Sequence, residues 1–414
     1  MMIETDIAVV GGGAVGMLSA ILAAQAGLRV VVIEKQPVVA AAGPAATVAT
    51  MPAEFDLRSF ALTAAAMEVL SQAGCLALLP SSRLSPLEAM TVWDAGSRGC
   101  IHFDAMDIGA PALGVVLENA TLMQALQARA RTLPALTWLA GHAVTGLIQD
   151  RPLRVLLDDG EVCARLVIAA DGRNSRIREL LDVEMPGADY AQHAVVANLR
   201  TAQPHQQRAW QRFLATGPVA LLPLPAADCC AMVWSTTPQA AKDLIAMPDA
   251  QFCQTLGEAT EFCLGEISEP TVRLGFPLLR ANVQHYVQRG VAFVGDAAHI
   301  VHPLAGQGLN LGIMDAACLI ETVLDARTDG RDIGARGVLR RYERKRKGEN
   351  LLTSWTMDGF KHLFGNHRRW LGWLRGAGMM AFDGAGPLKR ALIARTSGME
   401  GDLPRFARRP RGTA

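Results

Sequence analysis

The sequence is poor in several features that would indicate other kinds of protein. Aromatic residues make up 5% of the 414 residues, with only three tyrosines, and the formal net charge is +1. A near-neutral chain gives no electrostatic indication of nucleic-acid binding. No apolar run reaches the ~20 residues that a transmembrane helix needs, and residues 1–6 lack the basic segment of a signal peptide. We expect a cytoplasmic protein, attached at most peripherally to the inner face of a membrane.

Cysteine is present, but in no pattern that indicates a metal or redox centre. The eight cysteines form no C-x-x-C pair, and none lies at zinc-ligand spacing from a histidine. We expect reduced, packed thiols, with a redox pair at Cys229 and Cys230 as the alternative. No metal is implied.

The chain does contain a large core, because half of its residues are hydrophobic. Residues 7–34 show a strand–helix–strand pattern, which predicts an α/β fold with a parallel sheet. The stretch "SFALTAAAMEVLSQAG" is typical of a helix. Within 186–279, short apolar runs alternate with turns, which is typical of an antiparallel sheet. We predict a Rossmann-like nucleotide-binding domain (1–185 and 280–336), a mostly antiparallel substrate domain inserted into it (186–279), and C-terminal helices (337–414).

The stretch "GGGAVG" places Gly11, Gly13 and Gly16 in the G-x-G-x-x-G spacing between a predicted strand and helix. This context favours a dinucleotide site over a simple turn. Gly11 permits a tight turn, Gly13 lets the backbone approach a pyrophosphate, and Gly16 lets the helix pack closely on the strand. Glu34 ends the next strand, where a carboxylate can accept hydrogen bonds from ribose hydroxyls. The dinucleotide is therefore NAD or FAD.

Two later stretches favour FAD. "ADGRNSRIR" places Asp171 at the end of a strand, and Gly295 and Asp296 follow the strand "VAFV". A carboxylate at Asp296 suits the ribityl hydroxyls that FAD has and NAD lacks.

The run "GDAAHIVHPLAGQGLNLGIMDA" continues in a way that suits a flat ring. Pro303 stiffens the loop, and Gly306 and Gly308 keep side chains away, so that backbone can lie against the ring. Asn310 and the helix that begins nearby can offer donors to a ring that becomes negative on reduction. A glycine-rich loop that merely caps a helix is the alternative.

These motifs, together with "DLRSFALT", resemble those of the class A flavoprotein aromatic monooxygenases, and within them the ubiquinone-biosynthesis FAD-dependent hydroxylase family. The resemblance covers nearly the whole chain. It makes Arg58 a candidate contact to the flavin phosphate. One departure is Ala120, which follows Glu118 and Asn119 where the family commonly has a larger or polar residue; this leaves the flavin contact there open.

The resemblance implies a mechanism without a metal. NAD(P)H reduces FAD and leaves, O2 adds to give a C4a-hydroperoxide, and one oxygen atom passes to an electron-rich phenol ring, here a prenylated phenol. Because the chain has one G-x-G-x-x-G, we expect NAD(P)H to dock transiently. The protein must also shield the reactive flavin from water.

Catalytic residues are not assigned, although His299, His302 and Pro303 of the flavin loop are candidates. We favour a role for the histidines in orienting the loop backbone; a base that deprotonates the phenol is the alternative. Candidates for the substrate side share an apolar character and a place in the β insertion, with ordinary core as the alternative: Phe213, Leu221, Leu222, Pro223, Phe276 and Pro277.

The tail stretch "HRRWLGWLRGAGMMAF" alternates basic residues with Trp and Leu, as do helices that lie on anionic membranes. A packed or partner-binding helix, in a homo-oligomer or a biosynthetic complex, is the alternative. Three other functions stay open: a hydroxylase of a soluble aromatic compound, a flavin reductase of isoprenoid double bonds, and a non-catalytic flavin-bound assembly subunit.

Overall fold

The computed structural model describes residues 2–37, 49–301, 307–364, 369–398 and 401–408. The strands are β1 Met2–Val10, β2 Val30–Glu34, β3 Ser59–Thr63, β4 Leu84–Leu87, β5 Ala89–Asp94, β6 Cys100–Asp104, β7 Gly114–Glu118, β8 Leu136–Ala140, β9 Val144–Ile148, β10 Leu153–Leu157, β11 Glu161–Ala169, β12 Gly187–Thr201, β13 Arg208–Leu214, β14 Gly217–Pro223, β15 Cys229–Thr236, β16 Ile267–Ser268, β17 Leu274–Asn282, β18 Val287–Gln288, β19 Val291–Phe293 and β20 His299–Ile300. The helices are α1 Ala14–Gln25, α2 Ala64–Gln72, α3 Asn119–Arg131, α4 Arg176–Leu180, α5 Pro238–Ala246, α6 Asp249–Ala259, α7 Gln307–Thr328, α8 Arg336–Phe364, α9 Arg369–Gly384 and α10 Gly386–Thr396.

An eight-stranded sheet forms the centre of the nucleotide-binding part, in the order β18-β19-β11-β1-β2-β8, with β10 paired to β11 and β9 paired to β10. Strands β19, β11, β1, β2 and β8 pair in parallel. The residues of β19, β2 and the second half of β1 are almost all apolar and buried, because α1 packs on the sheet, and α3 and α7 pack on α1, in one large core. Strand β8, at the end of this parallel row, is only partly buried. The predicted α/β fold with a parallel sheet is confirmed.

A nine-stranded, mostly antiparallel sheet forms the second layer, in the order β20-β17-β12-β15-β14-β13-β5-β6, with β16 attached to β12. Strands β5 and β6 come from the first predicted range, and β5 joins this sheet by pairing in parallel with β13. Local sequence patterns carry no information on such distant pairing. The boundaries 186 and 279 stay predictions, and the sheet extends across both.

The stretch "SFALTAAAMEVLSQAG" is a helix only in part, so the prediction of one helix was wrong at its start. Residues Ser59–Thr63 form β3, which pairs with β7 in a three-stranded sheet. The helix α2 begins after Thr63, whose hydroxyl accepts a hydrogen bond from the backbone of Ala66. Pairing with β7 overrides the helical preference of the alanine-rich run.

The C-terminal helices pack against the far edge of the nine-stranded sheet. A Cβ at Gly99 would lie 2.9 Å from the Cα of Gly376 in α9, so the helix approaches the β5–β6 hairpin closely. Lys389 of α10 contacts both Asp383 and Asp107 at 3.2 Å. Among the helices that the structure describes, none is long and apolar enough to cross a bilayer.

Candidate active site

The glycine loop between β1 and α1 has three distinct local geometries. Gly11 has a φ of +106°, and a Cβ there would lie 2.4 Å from the carbonyl oxygen of Ala170. A Cβ at Gly16 would lie 2.1 Å from the carbonyl oxygen of Gly11. Gly13 differs, because among the described residues no atom beyond its chain neighbours lies within 4 Å of its Cβ position and no side chain caps α1 there. The first N–H groups of α1 therefore face open space, where a helix N-terminus attracts phosphate.

Glu34 lies beside this loop at the end of β2. Its Oε2 accepts a hydrogen bond of 2.6 Å from the backbone N–H of Gly12, and its Oε1 accepts one of 2.9 Å from Gln36. The carboxylate is thus fixed next to the glycine turn, and its contact with a ribose stays a prediction.

Arg58 is exposed and immediately precedes β3. Its backbone N–H donates to Asp56, and its carbonyl oxygen accepts from the N–H of Asn119 at 2.8 Å. Asp56 also accepts from the N–H of Ala120 at 3.0 Å, so its carboxylate caps α3 from 64 residues away. The backbone on both sides of Arg58 is therefore fixed, while its guanidinium is exposed.

Glu118 does not face outward in the structure. It is 4% exposed, accepts a 2.6 Å hydrogen bond from the N–H of Asp56, and forms an ion pair of 3.2 Å with Arg83. Burial with a cation and a backbone donor indicates a structural anchor for the Arg58 loop. The sequence did not single out Arg83, because an isolated arginine in a polar stretch gives no local signal.

The second motif places Asp171 directly after β11, with its Cα adjacent to Gly11. Its Oδ2 accepts from the N–H of Ile177 at 3.1 Å, whereas its Oδ1 is buried and has no partner among the described residues. Burial raises the pKa of this carboxyl, although hydrogen bonds from Ser175 and the neighbouring backbone oppose the effect. An unpaired buried acceptor requires a donor, such as a ligand hydroxyl.

Arg178 links the stretch that contains Asp171 to the loop that follows β19. It is 8% exposed, and its guanidinium donates to the carbonyl oxygens of Ala297 at 2.9 Å and Arg173 at 2.5 Å. Burial lowers the pKa of Arg178. Two loops that are more than 100 residues apart in the chain are thereby held against each other.

Gly295 and Asp296 begin a 3-10 turn that follows β19. Gly295 has a φ of +57°, and its N–H donates to Oδ2 of Asp315 at 3.1 Å. The Asp296 side chain is exposed, yet protein surrounds it closely enough for desolvation to raise the pKa of the carboxyl; His299, Arg58 and Arg173 oppose that rise. An accessible carboxylate in such dense surroundings lies within a concave part of the surface.

His299 is 3% exposed and faces inward. Its Nε2 lies 2.5 Å from Oδ2 of Asp315, its ring stacks on Tyr286, and its Nδ1 has no partner among the described residues. These contacts support the interpretation that the histidine orients the loop. His302, Pro303 and Gly306 lie outside the described residues.

Asn310, in the first turns of α7, contacts the backbone of β3. Its Oδ1 accepts from the N–H of Thr63 and its Nδ2 donates to the carbonyl oxygen of Ala61, each at 2.9 Å. The side chain thus joins the start of α7 to the strand that follows Arg58. Gly308 lies close by, and a side-chain atom of Val301 lies 3.9 Å from its Cβ position. The flavin contacts of both residues stay predictions.

The structure separates the predicted substrate-side residues between the two faces of the nine-stranded sheet. Leu221 packs in the core under α5 and α6, and Pro223 pairs with Cys230, which belongs to the same core. Leu222 lies on the opposite face, because successive side chains of a strand alternate. Phe276, which pairs with Ala194, shares that opposite face and is 39% exposed, while the next residue, Pro277, alternates to the helix-covered face.

The face that carries Leu222 holds two clusters of apolar side chains, with the buried polar residues Asn198 and Gln211 beside them. Leu222 packs in a cluster with Phe55 and Leu87, from the elements around Arg58. Phe213 packs farther along the same face with Val92 and with Met379 of α9. Met90 contacts both clusters, so a row of largely buried apolar side chains extends from the Arg58 region to the C-terminal helices.

These residues fit FAD in two respects. The open N-terminus of α1 suits the pyrophosphate, and the carboxylates of Asp171 and Asp296 present acceptors that suit hydroxyl groups. The sequence analysis did not identify Asp315, which bonds to both Gly295 and His299, or Arg346, which bonds to Asp315. A signal for Asp315 was available, since it is the only charged residue in the apolar run "LGIMDAACLI".

Comparison with known proteins agrees with this geometry. Residues 4–349 match the model of the FAD binding domain family. The chain is 35% identical to the 3-demethoxyubiquinol 3-hydroxylase of Escherichia coli, over 95% of this chain and 99% of that protein. It is 34% identical to the ubiquinone hydroxylase UbiL of Rhodospirillum rubrum, over 95% of this chain and 89% of that protein.

Among solved structures, that of PqsL from P. aeruginosa in complex with 2-aminobenzoylacetate has the same fold, with a TM-score of 0.73 at 22% identity. The match covers 89% of this chain and 99% of PqsL. The chain therefore belongs to the FAD binding domain family, and it is an FAD-dependent monooxygenase similar to the ubiquinone hydroxylases, which confirms the resemblance that its motifs predict.

Proposed function

We propose that this monooxygenase hydroxylates the aromatic ring of a polyprenylated phenol or benzoquinol intermediate in ubiquinone biosynthesis, with NAD(P)H and O2 as co-substrates. The names of its relatives support the pathway. The observation that carries the substrate class is the apolar face of the nine-stranded sheet, on which Met90 joins the cluster of Leu222 to that of Phe213. Such a surface suits a hydrocarbon tail better than a small polar aromatic compound.

Bound FAD supplies the reductive activation of O2 and the transfer of one oxygen atom. The chain binds and orients the cofactor. The first turn of α1 would hold the pyrophosphate, Glu34 would accept hydrogen bonds from the ribose, and Asp296 would accept them from ribityl hydroxyls. His299 holds the backbone of the loop through Asp315. The apolar face would position the phenol ring and exclude water, which would otherwise promote loss of the oxygen as peroxide.

The test is a turnover assay on the FAD-loaded protein with a long-chain prenylphenol and with a short phenol of the same ring. We expect NAD(P)H oxidation and O2 consumption with a hydroxylated product, and a higher kcat/KM for the prenylated compound. Met90→Glu should reduce kcat/KM for the prenylphenol by more than about tenfold and affect the short phenol less, because it places a charge on the apolar face. Met106→Glu is the matched control, since Met106 is 84% exposed.

Three results would contradict the proposal. Equal activity on both phenols would favour a hydroxylase of soluble aromatics. Saturation of an isoprenoid double bond would favour a reductase. An FAD-loaded protein with no product from any phenol would favour the assembly subunit.

We also propose that the C-terminal helices contact an anionic membrane surface, where a prenylated substrate resides. The basic and Trp-rich sequence of α9 supports this contact. Sedimentation with vesicles that contain anionic lipid should exceed sedimentation with neutral vesicles, and salt should weaken it. Equal sedimentation with both vesicles would favour a protein partner for these helices.

A further inference from the structure

The buried carboxylate of Asp315 joins the loop of Gly295 and His299, called the motif below, to helix α8. Asp315 lies on α7 with no exposed surface, and four groups approach it within hydrogen-bond distance. Two belong to the motif, the N–H of Gly295 at 3.1 Å and Nε2 of His299 at 2.5 Å. The other two belong to α8, Nε of Arg346 at 2.8 Å and Nδ2 of Asn350 at 3.2 Å. One side chain therefore bonds to both parts of the structure.

Arg346 gives this connection its direction. It is 6% exposed, and besides Asp315 its guanidinium donates to Oδ1 of Asn350 at 2.7 Å and to the carbonyl oxygen of Leu311 at 3.4 Å. A planar guanidinium with several fixed acceptors has one orientation. The arginine consequently determines which way the Asp315 carboxylate points.

Asn350 also connects α8 to His299, through Tyr286. Asn350 donates to the hydroxyl oxygen of Tyr286 at 3.4 Å, and the ring of Tyr286 stacks on His299 with 5.9 Å between centroids. Burial raises the pKa of Asp315, but the charges of His299 and Arg346 outweigh it and hold that pKa at about 2. The carboxylate is therefore ionised and accepts all of these hydrogen bonds at neutral pH.

We propose that Arg346 is a positioning residue for the cofactor, acting through Asp315 on the backbone of Gly295 and hence on the adjacent Asp296. Arg346 itself lies behind the loop of Gly295 and bonds to none of the predicted flavin contacts that the structure describes. The N–H of Gly295, in the peptide that joins Val294 to Gly295, is fixed by Asp315, while the carbonyl oxygen of Gly295 accepts from Ala298. Gly295 also has a positive φ that other residues rarely adopt, so the bond to Asp315 helps to set the direction in which the chain enters Asp296. The inference rests on the proposed role of Asp296 in binding FAD.

The test compares FAD binding in Arg346→Lys with that in the wild type. Lysine keeps the positive charge beside Asp315 but cannot reproduce the fork of bonds. We expect the Kd of the apoprotein for FAD to rise about tenfold, which corresponds to about 1.4 kcal/mol. The titration is carried out at a temperature where circular dichroism shows both apoproteins fully folded. The visible circular dichroism of the bound flavin should also change, which a purely structural loss would not cause.

Arg344→Lys is the matched control, because Arg344 lies on the same helix and is exposed. Its Kd should stay within about twofold of the wild type. If Arg346→Lys does not fold, the double variant Asp315→Asn/Arg346→Met removes both buried charges together and carries the same expectation.

An unchanged Kd and an unchanged flavin spectrum in a folded variant would overturn the inference and leave the FAD site intact, whether or not the melting temperature falls. A wild type that binds no FAD would instead overturn the proposed role of Asp296, and this inference with it. The two failures are thus distinguishable.

Discussion

The backbone N–H of Gly12 donates a 2.6 Å hydrogen bond to Oε2 of Glu34, although 22 residues separate the two in the chain. This bond joins the turn after β1 to the end of β2. Both strands are parallel neighbours, so their carboxyl ends meet at the same edge of the sheet. The acid that we propose to bind the ribose is therefore also part of the scaffold of the turn after β1.

Glu34→Gln should weaken FAD binding about tenfold. The amide has one acceptor where the carboxylate has two, so its NH2 group must face the N–H of either Gly12 or Gln36. Titration of the apoprotein with FAD measures the effect. Glu184→Gln, at an exposed position, serves as the control. An unchanged Kd would show that the acid makes no contribution to binding.

Gly13→Ala and Gly16→Ala should separate cofactor binding from folding. The methyl group at Gly16 would lie 2.1 Å from the carbonyl oxygen of Gly11, so we expect the free energy of unfolding of the apoprotein to fall by several kcal/mol. The methyl group at Gly13 meets no atom within 4 Å, so the apoprotein should keep its stability and lose FAD affinity. Urea unfolding and FAD titration measure the two effects. Equal loss of stability in both variants would contradict this assignment.

Asp296→Ala should lower the FAD content of the purified protein without destabilising the apoprotein. Desolvation raises the pKa of this carboxyl, which means that the folded apoprotein destabilises the ionised form of Asp296 when no partner is bound. The absorbance ratio of flavin to protein measures occupancy. Asp158→Ala, at an exposed turn, is the control. A fully yellow variant would count against Asp296 as a cofactor contact.

The Asp315–Arg346 pair should make stability depend on acid pH. The pKa of Asp315 is held at about 2 in the folded chain, below its ordinary value of 3.8. A lowered pKa in the folded state contributes stability above pH 4, and this contribution is lost as the pH falls from about 4 to about 2. The apoprotein should lose about 2 kcal/mol more over that range than the double variant Asp315→Asn/Arg346→Met. Parallel pH profiles from urea unfolding would show that the pair does not contribute in this way.

The sequence by itself determined the α/β fold, the spacing of the glycines and the identity of the cofactor. These features are local: a strand, a turn and a helix within residues 7–34, and a low-charge run around Gly295 and Asp296. Periodicity and glycine placement report such short-range geometry because they reflect which backbone conformations neighbouring residues can adopt.

Only the tertiary structure decided which distant groups meet. Pairing of β5 with β13 extended the second sheet beyond its predicted range, strand alternation separated Leu221 from Leu222, and pairing with β7 turned Ser59–Thr63 into a strand. The carboxylate of Asp315 met Arg346 from another helix. Contacts of this kind depend on where whole elements dock, and that follows from the burial of apolar surface over the entire chain, which no short stretch of sequence encodes.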